Sequence, residues 1–560
     1  YIYIYYKMKM KKRRSLKKKN DELSGEAIAA GGFGCVFRPP IKCGSPMGTT
    51  AEKEKYNNML KDNKYITKLM VKRYAKEEMD EVKKILPIVK TIPNYKKYFL
   101  LDNIFSCDKF GPLSVEDKKN FSKCNNLIRN GFTTRNINLR HNMQKLGTIY
   151  IPDGGKSVSS IMEKLGGNLL DLDDAGVTNF KKFGIVSWGL INVIKKAIVP
   201  MNEKGLVHLD LKGDNLLVNP QTLKDIKIID WGLAGVIDNN KNNVIEEIKN
   251  RPIQFNAPFS NILFSEELPD ILDEVKTKLM PGVAARIPAK DIPYRALPII
   301  AADIIDKLIL SNGSGHIDYL RGVFKKSAEK LNYLEGEDIH YRFRVEDYCF
   351  QYNTLFYNYL IKYISNILEK YLYISEKGNF RFHDDLYFQE VYRYNCDIWG
   401  LLTVYQDFND SLNSVNSLYI KISNILYKYL YSGKYAAERI PVNELVKDLE
   451  DISINSMAKP ASNVSSNKET ILLRSPEKSE PLLKTRSSTK KVPVKTKTVK
   501  KKKLKLKEKP ASIGIKNSAL QEIEKTSKTY IGKLIKTRKR CPRGWKARSN
   551  KVNGIICEKQ

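Results

Sequence analysis

The feature that most constrains this chain is a 25-residue stretch in its middle. His208-Leu209-Asp210-Leu211-Lys212-Gly213-Asp214-Asn215 runs into the apolar segment Leu216, Leu217, Val218. A turn around Asn219-Pro220 follows, then a second strand-like run, Ile226 to Ile229, that ends in Asp230-Trp231-Gly232. Two short strands joined by a turn bring Asp210, Asn215 and Asp230 into one small volume. A carboxylate that orients a hydroxyl, beside oxygen ligands for a phosphate-bound Mg²⁺, is the set that phosphoryl transfer requires.

A glycine-rich turn, Ala29 to Phe37, lies near the start between two strand-like runs and contains Gly31, Gly32 and Gly34. Glycines let backbone N–H groups approach a polyphosphate closely. A ligand-free hairpin turn has the same composition, so this element gains weight only beside the first. No Gly-Lys-Ser/Thr follows, which excludes a P-loop.

Together these segments resemble the protein kinase family, Ser/Thr type. His208 to Asn215 matches the catalytic loop, and Asp230-Trp231-Gly232 matches the metal-binding Asp-Phe-Gly. Gly31, Gly32, Gly34 and Val36 match the glycine-rich loop, with Ala29 where a first glycine is usual. Asp397-Ile398-Trp399-Gly400 matches the helix whose Asp supports the catalytic loop. The resemblance implies an α+β, bilobal fold with a small β-rich N-lobe (22–162) and a larger helical C-lobe (166–455). It also implies ATP and Mg²⁺ as cofactors, Asp210 and Lys212 as catalytic residues, and Asn215 and Asp230 as metal ligands. Lys68, on the strand Tyr65 to Met70, would hold the phosphates, with Lys64 and Lys72 as poorer fits. Among Glu77, Glu78 and Glu81, Glu81 is expected to pair with Lys68, because Val82 and Ile85 set an apolar face beside it. Met162 to Gly167 resembles the hinge, where backbone groups of Glu163 and Leu165 would meet adenine. Lys212, two residues after the catalytic Asp, implies Ser/Thr acceptors in protein substrates.

Departures from the family pattern carry information. Leu209 replaces the Arg that receives an activation-segment phosphate, and residues 233–258 contain no Ser, Thr or Tyr. The expectation is an enzyme that needs no phosphorylation there; Glu246 and Glu247 read as a solvated turn, with fixed negative charge as the alternative. Ala257-Pro258 lacks the following Glu, and a helical insertion of about 261–390 separates it from Asp397. Residues 31–40 and 251–259, taken with the long insertion, resemble kinases of large DNA viruses, and Cys541 to Glu558 resembles a short tail unit of giant-virus proteins. Two other readings remain: a pseudokinase scaffold, to which Ala29, Leu209 and the missing Glu point, and a kinase-like enzyme acting on small molecules.

Charge divides the chain further. Of the net +35, residues 1–20 carry nine Lys/Arg and no acid, and residues 459–560 carry 30 Lys/Arg against seven Glu. A nearly neutral body therefore has a basic arm (1–21), a basic linker expected to be disordered (456–530) and a small hairpin-like C-terminal unit (531–560). The tails suit non-specific contact with nucleic acid or another acidic partner, or a nuclear-import signal. The longest uncharged apolar run, Phe183 to Ile194, is too short for a bilayer, and no signal peptide is evident. The chain therefore reads as soluble and intracellular, with no membrane partner. It opens on Tyr1, with Met8 and Met10 as candidate starts. No Cys-x-x-Cys pair occurs, so free thiols are expected, with a Cys541–Cys557 bridge or shared metal site as an alternative. Cys107 to Gly155 reads as a polar insertion.

Overall fold

A computed structural model describes residues 26–30, 34–61, 64–173, 176–238, 241, 243–279, 296–332, 352–412, 415–458, 545–550 and 554–559. Gly31, Gly32, the basic arm, nearly all of the linker and Cys541 lie outside them. The chain divides into two compact units, Tyr1–Asn463 and Val464–Gln560.

The first unit mixes sheet and helix. Strands β1 (Glu26–Ala30), β2 (Gly34–Arg38), β3 (Cys43–Pro46), β4 (Tyr65–Val71), β5 (Phe105–Phe110) and β6 (Leu146–Pro152) form one antiparallel sheet in the order β1-β2-β4-β6-β5-β3. The β-branched and aromatic content of Tyr65 to Val71 suits a strand buried between neighbours. Its register sets Lys68 between Val36 of β2 and Ile149 of β6. Helix α1 (Thr50–Lys61) precedes β4, and α2 (Lys72–Val89) follows it directly. Ala75, Val82, Ile85 and Val89 of α2 are buried at helical spacing.

The stretch after Cys107 is not a polar insertion. It supplies β6, and its Leu113, Phe121, Leu127, Phe132 and Ile137 form a satellite core with Ala27, Phe37 and Leu69. Apolar residues spaced irregularly through short turns hide this role from a periodicity argument. Nor are all thiols free: Cys35 is bonded to Cys124 and Cys43 to Cys107, at sequence separations of 89 and 64. Such separations leave no local spacing signal. Cys396 is a buried free thiol.

Beyond β6, the residues Asp153 to Ser157, which end in β7 (Lys156–Ser157), lead into α3 (Val158–Gly167). The central helix α4 (Asn179–Val193) starts at Thr178, whose hydroxyl accepts the Lys181 N–H, and continues through Ile194–Ile198 into Val199–Glu203. This 25-residue helix, Asn179–Glu203, is long and apolar enough by length and composition to cross a membrane, although the uncharged run within it ends at Ile194. Phe183, Val186, Leu190, Val193 and Ile194 are fully buried in it, so it acts as a core helix. Ser187 is hydrogen-bonded to Tyr405 and Ser453, and Phe183 stacks on Phe408 at 4.1 Å.

Three short strand pairings follow: β8 (Leu206–Val207) with β11 (Gly235–Val236), and β9 (Leu216–Val218) with both β7 and β10 (Lys227–Ile228). The long stretch before Asp397 is helical, with α5 (Leu268–Leu279), α6 (Leu297–Asn312), α7 (Ile317–Asn332) and α8 (Tyr352–Tyr371). A hairpin of β12 (Leu372–Ile374) and β13 (Phe380–Phe382) closes it. This stretch is not an appendage, because Phe259 and Tyr363 meet Trp399 edge-on at 5.0 and 5.9 Å. Trp399 belongs to α9 (Arg393–Ser411), and α10 (Ser417–Leu426) and α11 (Val442–Ala458) complete the unit.

In the second unit β14 (Trp545–Asn550) pairs antiparallel with β15 (Gly554–Lys559).

Candidate functional site

The loop after β8 is built around one buried carboxylate. Asp397, fully buried on α9, accepts the backbone N–H groups of His208 and Leu209, each at 3.0 Å, and the Asn202 side-chain amide at 2.9 Å. A buried carboxylate needs such donors, and here they hold Leu209 at a φ of 61°, in the left-handed region that non-glycine residues seldom adopt. Gly400, one turn on, is required by packing: a Cβ there would stand 2.2 Å from the Leu211 carbonyl oxygen. The His208 ring binds the Ile229 carbonyl at 2.9 Å and lies 4.6 Å from Trp231. The His208 and Asp230 segments are thereby tied together, and Asp230 too has a positive φ, 63°.

Asp210 projects from this loop into a ring of donors. Lys212 Nζ lies 2.9 Å from Oδ2, Asn215 Nδ2 lies 3.0 Å from the same oxygen, and Asn256 Nδ2 lies 2.8 Å from Oδ1. Burial alone would raise the Asp210 pKa, but Lys212 and Asn256 outweigh it and hold the carboxyl below its usual range. Asp210 is therefore an anion at neutral pH. Asn256 also donates to the Leu211 carbonyl and is almost fully buried.

Lys68, on β4, reaches Asp230 Oδ1 at 3.4 Å and Glu78 Oε2 at 2.7 Å. Burial pushes its ammonium down, yet the Asp230 and Glu78 carboxylates push it up by more, so Lys68 stays charged. The expected partner, Glu81, is displaced: it faces Lys84 at 3.7 Å instead. The reason lies in the helix. Positions 75, 78, 82, 85 and 89 form one continuous inward stripe, and Glu78 completes it, whereas Glu81 stands one position off. Lys84 in turn meets Glu247 at 3.6 Å, so Glu247 contacts α2 rather than solvent alone.

The hinge expectation also needs correction. Glu163 and Leu165 lie within α3, where backbone N–H groups are used inside the helix, and Leu165 is buried. The Ser157 hydroxyl accepts the Ser160 N–H and starts that helix, and Val158, Ile161, Met162 and Leu165 bury one face of it. The link between β6 and α3 is Asp153 to Ser157, with Arg38 bonded to Asp153 at 2.6 Å. Gly34 begins β2 with no room for a side chain, since a Cβ would sit 2.7 Å from the Leu69 carbonyl oxygen. Val36 lies opposite Lys68.

The oxygen set fits a hard divalent cation. Asn215 spends its amide nitrogen on Asp210, leaving Oδ1, while Asp230 uses only Oδ1 on Lys68. No cluster of three His, Cys, Asp or Glu occurs among the described residues, so such a cation would take its remaining ligands from phosphate and water.

Sequence reasoning ranked Glu78 below Glu81 and missed Asn256. The stripe through Ala75 and Val82 could have found the first, whereas Asn256 has no local signal because its partner is 46 residues away. A third feature, Ser159, donates to Asp407 at 2.6 Å, directly behind Gly213.

Neither the family models nor the curated proteins compared with this chain give a match. Among solved structures, a homologue of Stt7 from Micromonas algae, soaked with ATP, aligns at a TM-score of 0.22 with 14% identity. That alignment covers 38% of this chain and 49% of the neighbour, so it spans about half of the neighbour's length.

Proposed function

We propose that the chain is a serine/threonine protein kinase that transfers the γ-phosphate of ATP to protein hydroxyls. The observation that carries the reading is Lys68, from the sheet, held at 2.7 Å by Glu78 and 3.4 Å by Asp230, which lies 162 residues later. A lysine so held is a fixed cation for the phosphates. Asp210, kept ionised by Lys212 and Asn256, orients the acceptor hydroxyl and takes its proton. Lys212 then offsets charge developing on the transferred group. Asn215 and Asp230 would hold Mg²⁺, which neutralises phosphate charge when bound. The glycine-rich turn leading into Gly34 and Val36 would cover the phosphates, and Asp153 to Ser157 replaces Glu163 and Leu165 as the adenine-facing candidate.

The segment 233–258, without Ser, Thr or Tyr, acts unphosphorylated in this reading; the Glu247–Lys84 contact at 3.6 Å provides negative charge against α2. The basic arm and linker serve as polyanion contacts, for nucleic acid or acidic protein.

The test is transfer of labelled γ-phosphate from ATP·Mg²⁺ to casein and myelin-type substrates, wild type beside Asp210→Ala and Asp230→Asn. Label on Ser and Thr with the wild type alone supports the assignment. If all three proteins are folded and bind nucleotide but none transfers, the scaffold reading replaces it. Transfer to small hydroxylated molecules and not to protein would point to the small-molecule alternative.

A further inference from the structure

The residue before Asn256 has both of its backbone polar groups held from outside its own segment. The Phe255 N–H donates to His316 Nδ1 at 3.3 Å, and the Phe255 carbonyl accepts the Trp399 indole N–H at 3.0 Å. His316 stands just ahead of α7, inside the long helical stretch. Its own N–H donates to the Ile253 carbonyl at 2.9 Å. Gly315 has a φ of 51°, and a Cβ on it would stand 2.1 Å from that same carbonyl oxygen, so only glycine permits the approach. The His316 and Tyr319 rings each lie 5.2 Å from Phe255. The inserted helices are thus stitched to Ile253–Asn256 by two hydrogen bonds and two aromatic contacts, and Asn256 passes that constraint to Asp210 Oδ1 at 2.8 Å.

We propose that His316 is a positioning residue that locks the Phe255–Asn256 segment, and through it Asp210, so that the insertion does in cis what a phosphate on the activation segment does elsewhere. The proposal rests on the kinase reading for its catalytic consequence, not for the lock itself. To accept from Phe255, the imidazole must be neutral with its proton on Nε2. Burial first, and then Lys212, hold its pKa below the usual histidine value against the opposing pull of Asp210, which keeps that form dominant near neutrality.

The experiment uses the full chain with His316→Ala and His316→Asn; the Asn carbonyl can accept the same N–H. Peptide phosphorylation gives kcat and KM for ATP, and amide hydrogen exchange reports Phe255 and Asn256 directly. His316→Ala should lower kcat about tenfold, the worth of one hydrogen bond of about 1.4 kcal/mol, with KM for ATP within about twofold. Exchange at Phe255 should speed up, and His316→Asn should recover most of both. Unchanged kcat and unchanged exchange in a folded His316→Ala overturn the proposal, as does an Asn variant no better than Ala. If the wild type transfers no phosphate, the kinase reading fails, and the exchange comparison still decides whether the lock exists.

Discussion

Lys68 and Glu78 form a buried ion pair at 2.7 Å, one on the strand and the other on the helix that follows it, while Glu81 turns away toward Lys84. The two glutamates are three residues apart and chemically identical, so substituting each in turn separates position from composition. Glu78→Gln should lower kcat/KM by about ten- to a hundredfold, the loss of a charge-assisted bond worth about 1.5–3 kcal/mol. Glu81→Gln should stay within about twofold of wild type, as a half-exposed pair at helix spacing contributes only a few tenths of a kcal/mol. Steady-state kinetics on both variants decides; equal losses would return Glu81 to the site.

Asn256 binds Asp210 Oδ1 and the Leu211 carbonyl together. Asn256→Ala removes both bonds and leaves Asp210 facing Lys212 and Asn215 alone. The expected outcome is a kcat lower by about tenfold or more, from one to two lost hydrogen bonds of about 1 kcal/mol each. Single-turnover measurement at saturating ATP reads this directly, and an unaltered rate removes Asn256 from the machinery.

Asp397 has three donors aimed at it inside the core. Asp397→Ala leaves both backbone N–H groups without an acceptor and Asn202 with the Leu206 carbonyl alone, and should cost about 3 kcal/mol or more in folding free energy. Urea unfolding followed by tryptophan fluorescence would show it, since Trp399 lies in the adjacent turn. A midpoint unchanged from wild type would contradict the buried network.

Asp407 behaves oppositely to Asp210. Burial first, with Glu163, Asp214 and Asp410 adding repulsion and the Ser159 hydrogen bond opposing, lifts its pKa to about 6 from 3.8. The folded chain therefore holds a proton that the unfolded chain releases earlier. This stabilisation is complete below about pH 3.8 and is lost as pH rises through about 6. Asp407→Asn should flatten the stability curve across that window and raise stability at pH 7 by about 3 kcal/mol. Denaturation of both proteins at pH 4.5 and pH 7 checks it; parallel slopes would refute the lifted pKa.

Local patterns were the legible part of this chain. Asp210, Asn215 and Asp230 are carried by short strands and tight turns whose composition is distinctive. What escaped depends on partners distant in sequence or on a single step of helical phase. Glu78 and Glu81 differ only in which side of α2 they occupy. Met162 to Gly167 has the composition of an interlobe link, yet Ser157 caps a helix just before it and the strand lies earlier, at Leu146–Pro152. Asn256 and His316 acquire their roles only when segments 46 and 61 residues apart close on one another.

The two bridges described in the sheet-bearing part are nested, the 43–107 loop lying inside the 35–124 loop. Helix α1, with Lys55 exposed on its surface, sits within both loops. A protease that cuts after Lys55 therefore severs the backbone without releasing either piece: the glycine-rich hairpin stays attached to the rest through sulfur. On a denaturing gel the nicked chain migrates as one band until a thiol is added and then resolves into two, so a gel run without reductant does not show the cut.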